Sequence, residues 1–238
     1  MEQTDDLILG GFKLCQQGNL FRFGTDAVLL YHITPSPAGR TVDLCSGNGA
    51  VAMLLLAGGK CERITTLELQ AEGCRLCRKS AAINGVSEQI TVCCGDVRKI
   101  KDILSDGQTD TVTVNPPYFK KGSGLLPSKL PIAIARHELE CTIDDVLEAA
   151  VYLLREGGTF CMVHRRSRQN EILRKIKKYG LCAVEITTVF STPGTPTELF
   201  LLRAVKTNEQ LSCKANTFTL QKPDGSHSDA YQAIYKGE

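Results

Sequence analysis

Short β-branched runs alternate with longer stretches whose apolar residues recur at helical spacing. Thr41-Val42-Asp43-Leu44-Cys45 reads as a strand, and residues 49–57 as a helix that is apolar almost throughout. A second strand spans about 63–69, and the helix after it ends at Asn84-Gly85, a C-cap signal. Strands at about 89–94 and 110–114 follow. Thr142-Ile143-Asp144-Asp145 has the form of an N-cap with an acid at the third position, opening a helix to about Arg155. Gly157-Gly158 leads into a fifth strand, Thr159 to His164, and then a helix near 168–179. Strands at about 182–190 and 198–205 flank a short loop, Ser191 to Pro196, so an antiparallel pair is predicted there. The alternation predicts an α/β fold: a mostly parallel seven-stranded sheet, helices on both faces, and an antiparallel C-terminal strand pair. The last thirty residues read as a polar tail with a Pro223-Asp224-Gly225 turn and a short Ala230 to Tyr235 stretch able to dock back.

Composition fits one domain of 238 residues, with 1–40 as an N-terminal cap, 41–206 as the core and 207–238 as the tail. Hydrophobic residues make up 42%, aromatics only 6%, and tryptophan is absent, so the core is aliphatic. A net charge of +2 does not mark the whole chain as a nucleic-acid binder, and any such role rests on local basic patches. Eleven cysteines without an N-terminal signal segment point to a reducing cytoplasmic setting, where thiols pack as small hydrophobes. Cys74-x-x-Cys77 followed by Cys93-Cys94 approaches a zinc-ribbon spacing. Neighbours in a strand point to opposite faces, however, so Cys93 and Cys94 cannot both reach one ion. No run approaches the ~20 apolar residues of a membrane span.

Asp43-Leu44-Cys45-Ser46-Gly47-Asn48-Gly49 is a glycine-bearing turn between a strand and a helix, where backbone can approach a ligand closely. Gly47-x-Gly49-x-x-Ala52 also satisfies the dinucleotide fingerprint, with Glu68 about twenty residues on, placed for ribose hydroxyls. Nicotinamide dinucleotide and S-adenosylmethionine are both open at this step. Three features favour the second. Asp43 either sets the turn by accepting backbone N–H bonds or meets the cofactor's ammonium group, and it would repel a pyrophosphate. Asp96 follows the third strand, placed to accept from an adenine amino group. Asn115-Pro116-Pro117-Tyr118-Phe119 follows the fourth. Each proline removes a backbone N–H and the residue before it is extended, so the Asn115 amide and the Pro116 carbonyl can both face a flat amine. Tyr118 or Phe119 supplies a stacking face. All these signals fall at the carboxyl ends of strands, where open α/β sheets bind ligands.

With these motifs the chain resembles the class I S-adenosylmethionine-dependent methyltransferases that carry an Asn-Pro-Pro-Tyr motif. Within them it is similar to the bacterial tRNA(Val) adenine-37 N6-methyltransferase family, through Phe21 to Leu30, Asp43 to Gly49, Asn115 to Phe119 and Ala133-Ile134-Ala135-Arg136-His137-Glu138. The resemblance implies a Rossmann-like sheet. It implies that Asp43, Gly47, Gly49, Glu68 and Asp96 hold S-adenosylmethionine, and that Asn115, Pro116, Pro117 and Tyr118 hold the target amine. Thr25 and Asp26 either close over the methionine end or cap a helix. The reaction implied is direct displacement on an adenine amino nitrogen, with no metal and no strong general base.

The implied partner is tRNA, presenting an adenine in a single-stranded loop. Its phosphates would be met by Lys120, Lys121, Lys129 and Arg136 after the motif and by Arg165, Arg166 and Arg168 after the fifth strand. Solvated charge is the competing reading for each. A protein-glutamine N5-methyltransferase uses the same tetrapeptide but usually carries a helical domain ahead of the turn, where only about forty residues stand here. A DNA adenine methyltransferase needs a recognition region for which there is little room. A nicotinamide-dependent oxidoreductase leaves Asn115 to Tyr118 unexplained.

Overall fold

The computed structural model describes residues 2–7, 9–17, 23–116, 118 and 141–236. In chain order, a hairpin of β1 (Glu2–Asp6) and β2 (Lys13–Gln17) precedes helix α1 (Thr25–Ile33). β3 (Thr41–Leu44), α2 (Ala50–Ala57), β4 (Ile64–Glu68), α3 (Ala71–Ile83) and β5 (Ile90–Cys94) follow. A one-turn helix α4 (Ile100–Ile103) leads to β6 (Thr109–Val114). After the segment that is not described come α5 (Ile143–Leu153), β7 (Leu154–Arg165), α6 (Gln169–Lys178), β8 (Leu181–Thr192) and β9 (Thr195–Lys206). β10 (Lys214–Thr219) and α7 (Asp229–Lys236) end the described chain.

The large sheet has the order β10-β8-β9-β7-β6-β3-β4-β5. β3, β4, β5, β6 and β7 run parallel, β9 lies antiparallel between β7 and β8, and β10 is parallel to β8. The chain builds outward from β3 through β4 to β5, then returns to the other side of β3 as β6. That reversal makes the carboxyl ends of β3 and β6 the topological switch point, where a ligand crevice opens.

Burial explains the layers around it. All four residues of β3 are buried, as expected of a strand covered on both faces. α2 is apolar all round, and its residues 50–56 are all buried, so it has to be covered on every side. The sheet and α1 cover part of it, and Leu7, Leu9 and Leu14 from the N-terminal hairpin complete the shell. The hairpin is held by polar ties as well: Asn84, at the end of α3, accepts from Lys13 N–H at 2.8 Å and donates to the Lys13 carbonyl at 2.7 Å. Ser80 Oγ accepts from Cys15 N–H at 2.9 Å. The opposite end of α1 is closed by Lys60, whose Nζ donates to the carbonyls of Tyr31, His32 and Thr34. Thr142 and Asp145 form the reciprocal capping box expected from the sequence.

The mostly parallel α/β sheet and the antiparallel β8–β9 pair agree with the sequence pattern, with three differences. First, the sheet has eight strands, because residues 214–219 of the polar tail add β10 at its edge. An edge strand with one open side carries little hydrophobic signal: only Phe218 of this strand is buried. Second, β7 starts at Leu154, five residues ahead of the expected strand, and its register shifts between Thr109 and Thr111 of β6. Third, the sulfurs of Cys74 on α3 and Cys94 on β5 are joined, with Cα atoms 6.1 Å apart, where all thiols were expected to pack singly. The other nine cysteines are free. Among the described residues no helix is long and apolar enough to cross a membrane.

The C-terminal stretch docks as expected. Tyr231 and Ile234 are buried, and Phe218 packs between the Tyr231 and His32 rings at centroid distances of 6.4 and 4.9 Å. Phe218→Ala should therefore cost about 3 kcal/mol of unfolding free energy, the low end for a buried phenylalanine. Urea denaturation measures it; a loss below about 0.5 kcal/mol, the size of an ordinary surface change, would return these residues to the status of a tail.

Candidate active site

The loop after β3 carries three left-handed residues in five: Cys45 (φ 54°), Gly47 (φ 56°) and Gly49 (φ 80°). Gly49 is forced by space as well as by φ. A Cβ there would lie 2.3 Å from Cys77 Sγ on α3. Gly73, within α3, does the reciprocal work, since its Cβ would meet the Gly47 carbonyl oxygen at 2.8 Å. Helix and turn thus touch backbone to backbone, and the glycine turn can face the crevice.

Glu68, at the end of β4, fixes that turn. Its Oε2 accepts from Gly47 N–H and its Oε1 from Gln70 N–H, each at 2.8 Å. Its own carbonyl accepts from Gly95 N–H at 2.9 Å, so the loop after β5 is tied to the same residue. Burial raises the Glu68 carboxyl above its ordinary range, and the two backbone donors oppose that shift. The turn-setting role that the sequence left open for Asp43 belongs to Glu68 instead. Asp43 Oδ1 accepts from Thr113 Oγ1, its register partner on β6, at 2.7 Å, while Oδ2 is buried without a hydrogen-bond partner. Burial pushes this carboxyl up to about 7, with the Thr113 hydroxyl pulling the other way.

Asp96 follows β5 as expected. It caps a short 3-10 turn, accepting from Arg98 N–H at 2.9 Å, and pairs with the Arg98 guanidinium, which holds its carboxyl below the ordinary range. Asn115, just past β6, donates from Nδ2 to Asp26 Oδ2 at 3.0 Å. The Tyr118 hydroxyl lies 2.9 Å from the same Asp26 oxygen and 2.7 Å from Asn115 Oδ1. Burial, then the Asp26 charge, raises the Tyr118 phenol well above its usual value. Behind Tyr118, at a ring-centroid distance of 5.3 Å, is His164 of β7. Burial pulls that imidazole down to about 3, so it is neutral; Nδ1 accepts from Arg165 N–H at 2.7 Å.

Asp26, Asp43, Glu68, Asp96, Asn115 and Tyr118 share one cleft. The described lining residues include four carboxylates, Asp26, Asp43, Glu68 and Asp96, and no lysine or arginine. The first three are buried, at 8%, 1% and 7% exposure.

The sequence-derived set is mostly reunited: Asp26, Asp43, Gly47, Glu68, Asp96, Asn115, Pro116 and Tyr118 all line the cleft. Gly49 sits one residue behind it as the N-cap of α2. Thr25 opens α1, but the N-cap is Gly24, without a side-chain bond. Pro117, Phe119, Lys120, Lys121, Lys129, Arg136 and His137 lie outside the described residues. Arg165 is half-buried at the end of β7, close enough to Tyr118 for its charge to act on the phenol, and Arg166 is exposed. Arg168 corrects an expectation: it is buried and its guanidinium pairs with Glu171 one helical turn on, so it is not presented to a phosphate. Sequence reasoning missed Gly73, Phe23 and His164. A glycine inside a helical pattern was the available signal for Gly73. Phe23 lines the cleft, and its N–H donates to Gln16 Oε1 of β2 at 2.7 Å.

The methyltransferase small-domain family is matched over residues 23–183, more than half of the chain. The chain belongs to that family. A tRNA1(Val) (adenine(37)-N6)-methyltransferase from Porphyromonas gingivalis is 26% identical over 197 residues, covering 80% of this chain and 76% of the relative. One of the same name from Shewanella woodyi is 25% identical, covering 95% of each chain. Among solved structures, a predicted O-methyltransferase from Agrobacterium tumefaciens superposes with a TM-score of 0.70 at 23% identity, over 90% of this chain and 96% of that one, and so shares the fold.

Asp43 gives this small-domain methyltransferase a pH signature. Its folded value of about 7 lies above the ordinary carboxylate value of 3.8, so the folded state holds the proton more tightly than the unfolded one. Stability from this group is complete in acid and is lost as pH rises toward 7. Asp43→Asn should therefore raise stability at pH 8 relative to the parent and flatten the decline between pH 5 and 8, as read by urea unfolding at both values. An equal decline in the variant and the parent would show that Asp43 is ionised throughout that range.

Proposed function

We propose that the chain transfers a methyl group from S-adenosylmethionine to the exocyclic amino nitrogen of an unpaired adenine in tRNA. The observation that carries this reading is the charge of the cleft: four carboxylates and no described cation line the wall that also bears Asn115. A cofactor with an ammonium and a sulfonium suits such a wall, and a pyrophosphate-bearing dinucleotide is repelled by it. When bound, the sulfonium supplies an activated methyl group, so the protein's work is positioning and exclusion of water.

The residues present fit that cofactor. Asp43 Oδ2, buried and unpartnered, is an acceptor waiting for a cationic donor. The Glu68 carboxylate, held by backbone donors at the edge of the turn, is the acceptor for ribose hydroxyls. Asp96 is ionised beside the far wall and accepts from the adenine amino group. At the target, Asn115 Oδ1 and the Pro116 carbonyl take the two amine hydrogens, so the nitrogen lone pair turns away from the ring and toward the methyl. The Tyr118 ring, backed by His164, gives the base a face to stack on. Relatives named for methylation of adenine 37 of tRNA1(Val) support a loop base as the substrate, and such a base is cheap to unstack.

Methyl transfer from labelled S-adenosylmethionine to total tRNA, followed by nucleoside analysis, tests the reading; the expected product is N6-methyladenosine. Label found on protein glutamine, with none on tRNA, would replace it with glutamine N5-methylation. Asn115→Ala should lower kcat by about 100-fold or more, the scale for losing a positioned transition-state hydrogen bond, while S-adenosylhomocysteine binds nearly as before. An unchanged rate would remove Asn115 from the reaction.

Exposed Arg166 and buried Arg168 make opposite predictions. Arg166→Ala should weaken tRNA binding and reduce the slope of log K against log salt by about 0.7–0.9, the value of one phosphate contact. Arg168→Ala should act mainly on stability, through loss of its pair with Glu171. Equal salt slopes for Arg166→Ala and the parent would take Arg166 out of the RNA surface.

A further inference from the structure

Asn115 can serve an amine target only if its amide points one way. An amide is nearly symmetric in shape, with oxygen and NH2 in similar positions, so packing alone does not choose between them. Hydrogen bonding does. A carboxylate only accepts, and Asp26 Oδ2 lies 3.0 Å from Asn115 Nδ2, so the NH2 is drawn to Asp26 and Oδ1 faces the cleft. Asp26 cannot turn away, because its Oδ1 accepts from Ala27 N–H at 3.0 Å and the residue is 8% exposed.

Tyr118 adds a second constraint. Its hydroxyl has one proton and two acceptors in reach, Asn115 Oδ1 at 2.7 Å and Asp26 Oδ2 at 2.9 Å. A target amine arriving at Asn115 Oδ1 competes for that oxygen. The phenol proton then has Asp26 beside it as an alternative acceptor, and the ring stays where it stacks.

Resting on the function proposed above, we infer that Asp26 is a positioning residue for methyl transfer: it fixes the orientation of the Asn115 amide and takes the Tyr118 hydroxyl when the target amine binds. Its role is separate from holding the cofactor, the part the sequence assigned to it.

Asp26→Asn is the informative variant, because it keeps the shape and inverts the polarity. Ala27 N–H holds the new side chain by its carbonyl oxygen, so the new NH2 stands where Oδ2 was and faces the Asn115 NH2. Two donors then oppose each other, and the Asn115 amide is driven to flip and present NH2 to a target that is itself a donor. The isosteric variant should be worse than truncation: kcat should fall by about 100-fold or more in Asp26→Asn and less in Asp26→Ala, with S-adenosylhomocysteine affinity held within about threefold in both.

A packing role predicts the reverse order, so Asp26→Ala at least as damaging as Asp26→Asn would overturn the inference. So would loss of S-adenosylhomocysteine binding at unchanged kcat, which would return Asp26 to the cofactor. A readout without substrate separates this inference from the substrate reading. In 15N-labelled protein, the Asn115 side-chain NH2 signals, assigned by their disappearance in Asn115→Asp, should be protected from exchange and should move and lose protection in Asp26→Asn. If the parent protein methylates no tRNA, the substrate reading fails while these signals still decide the positioning: a shift upholds it, and unmoved signals overturn it.

Discussion

One buried residue, Glu68, joins three of the loops that line the cleft. Glu68 accepts from Gly47 N–H after β3 and from Gln70 N–H at the start of α3, and its carbonyl takes Gly95 N–H after β5. In a parallel sheet these loops come from separate βα units and have no ladder bonds to one another. A carboxylate at 7% exposure is costly to bury, and two backbone donors offset that cost. With those bonds made, and with Asn48 Nδ2 donating to the Cys15 carbonyl at 3.1 Å, the left-handed turn at Cys45 and the backbone-close packing of Gly49 and Gly73 are held.

The same economy sets the charge of the cleft. Asp26, Asp43 and Glu68 are buried around it, and each is anchored by a different device: a backbone and an amide donor, a threonine hydroxyl, and two backbone donors. Asp43 is the least compensated, with one oxygen unpartnered and its carboxyl pushed up to about 7. An acceptor left orphaned in a core costs stability and is retained where a ligand completes it. On the function proposed, a cationic ligand would complete it, and its arrival would favour ionised Asp43, which would link cofactor charge to protein stability through one residue.

How much of this was readable from the sequence depended on how local the signal was. The β3 strand, the glycine turn and the apolar α2 are consecutive, and α2, fully buried, leaves an unbroken apolar run. Glu68, Asp96 and Asn115 were legible because each ends a strand of a parallel sheet, where position in the chain fixes position in space. Asp26 was placed in the right cleft, but its bonds to Asn115 and Tyr118 were not foreseen, because these partners lie 89 and 92 residues away and no spacing rule reaches that far. Arg168 failed in the opposite way. It stands in a basic run that looks like a phosphate site, yet Glu171 absorbs its charge at i+3, a pair that only helix geometry on α6 brings together. β10 was hidden because an exposed edge strand is polar by necessity.

The arrangement around Asn115 shows why the tetrapeptide is not sufficient by itself. Pro116 on its C-terminal side and the end of β6 behind it fix the backbone, but they leave the amide free to turn by 180°, which exchanges acceptor for donor. The selecting charge comes from α1, whose position is fixed at its other end by Lys60 bound to the carbonyls of Tyr31, His32 and Thr34, and along its side by α2. Lys60 in turn sits beyond the end of α2, the helix that the cofactor turn begins. The orientation of one amide is thus set by the docking of a whole helix that lies ahead of the Rossmann-like core in sequence. On the inference drawn for Asp26, that dependence gives the described N-terminal hairpin and α1 a function in the chemistry itself: they cover α2, and through Asp26 they decide which atom of Asn115 meets the target amine.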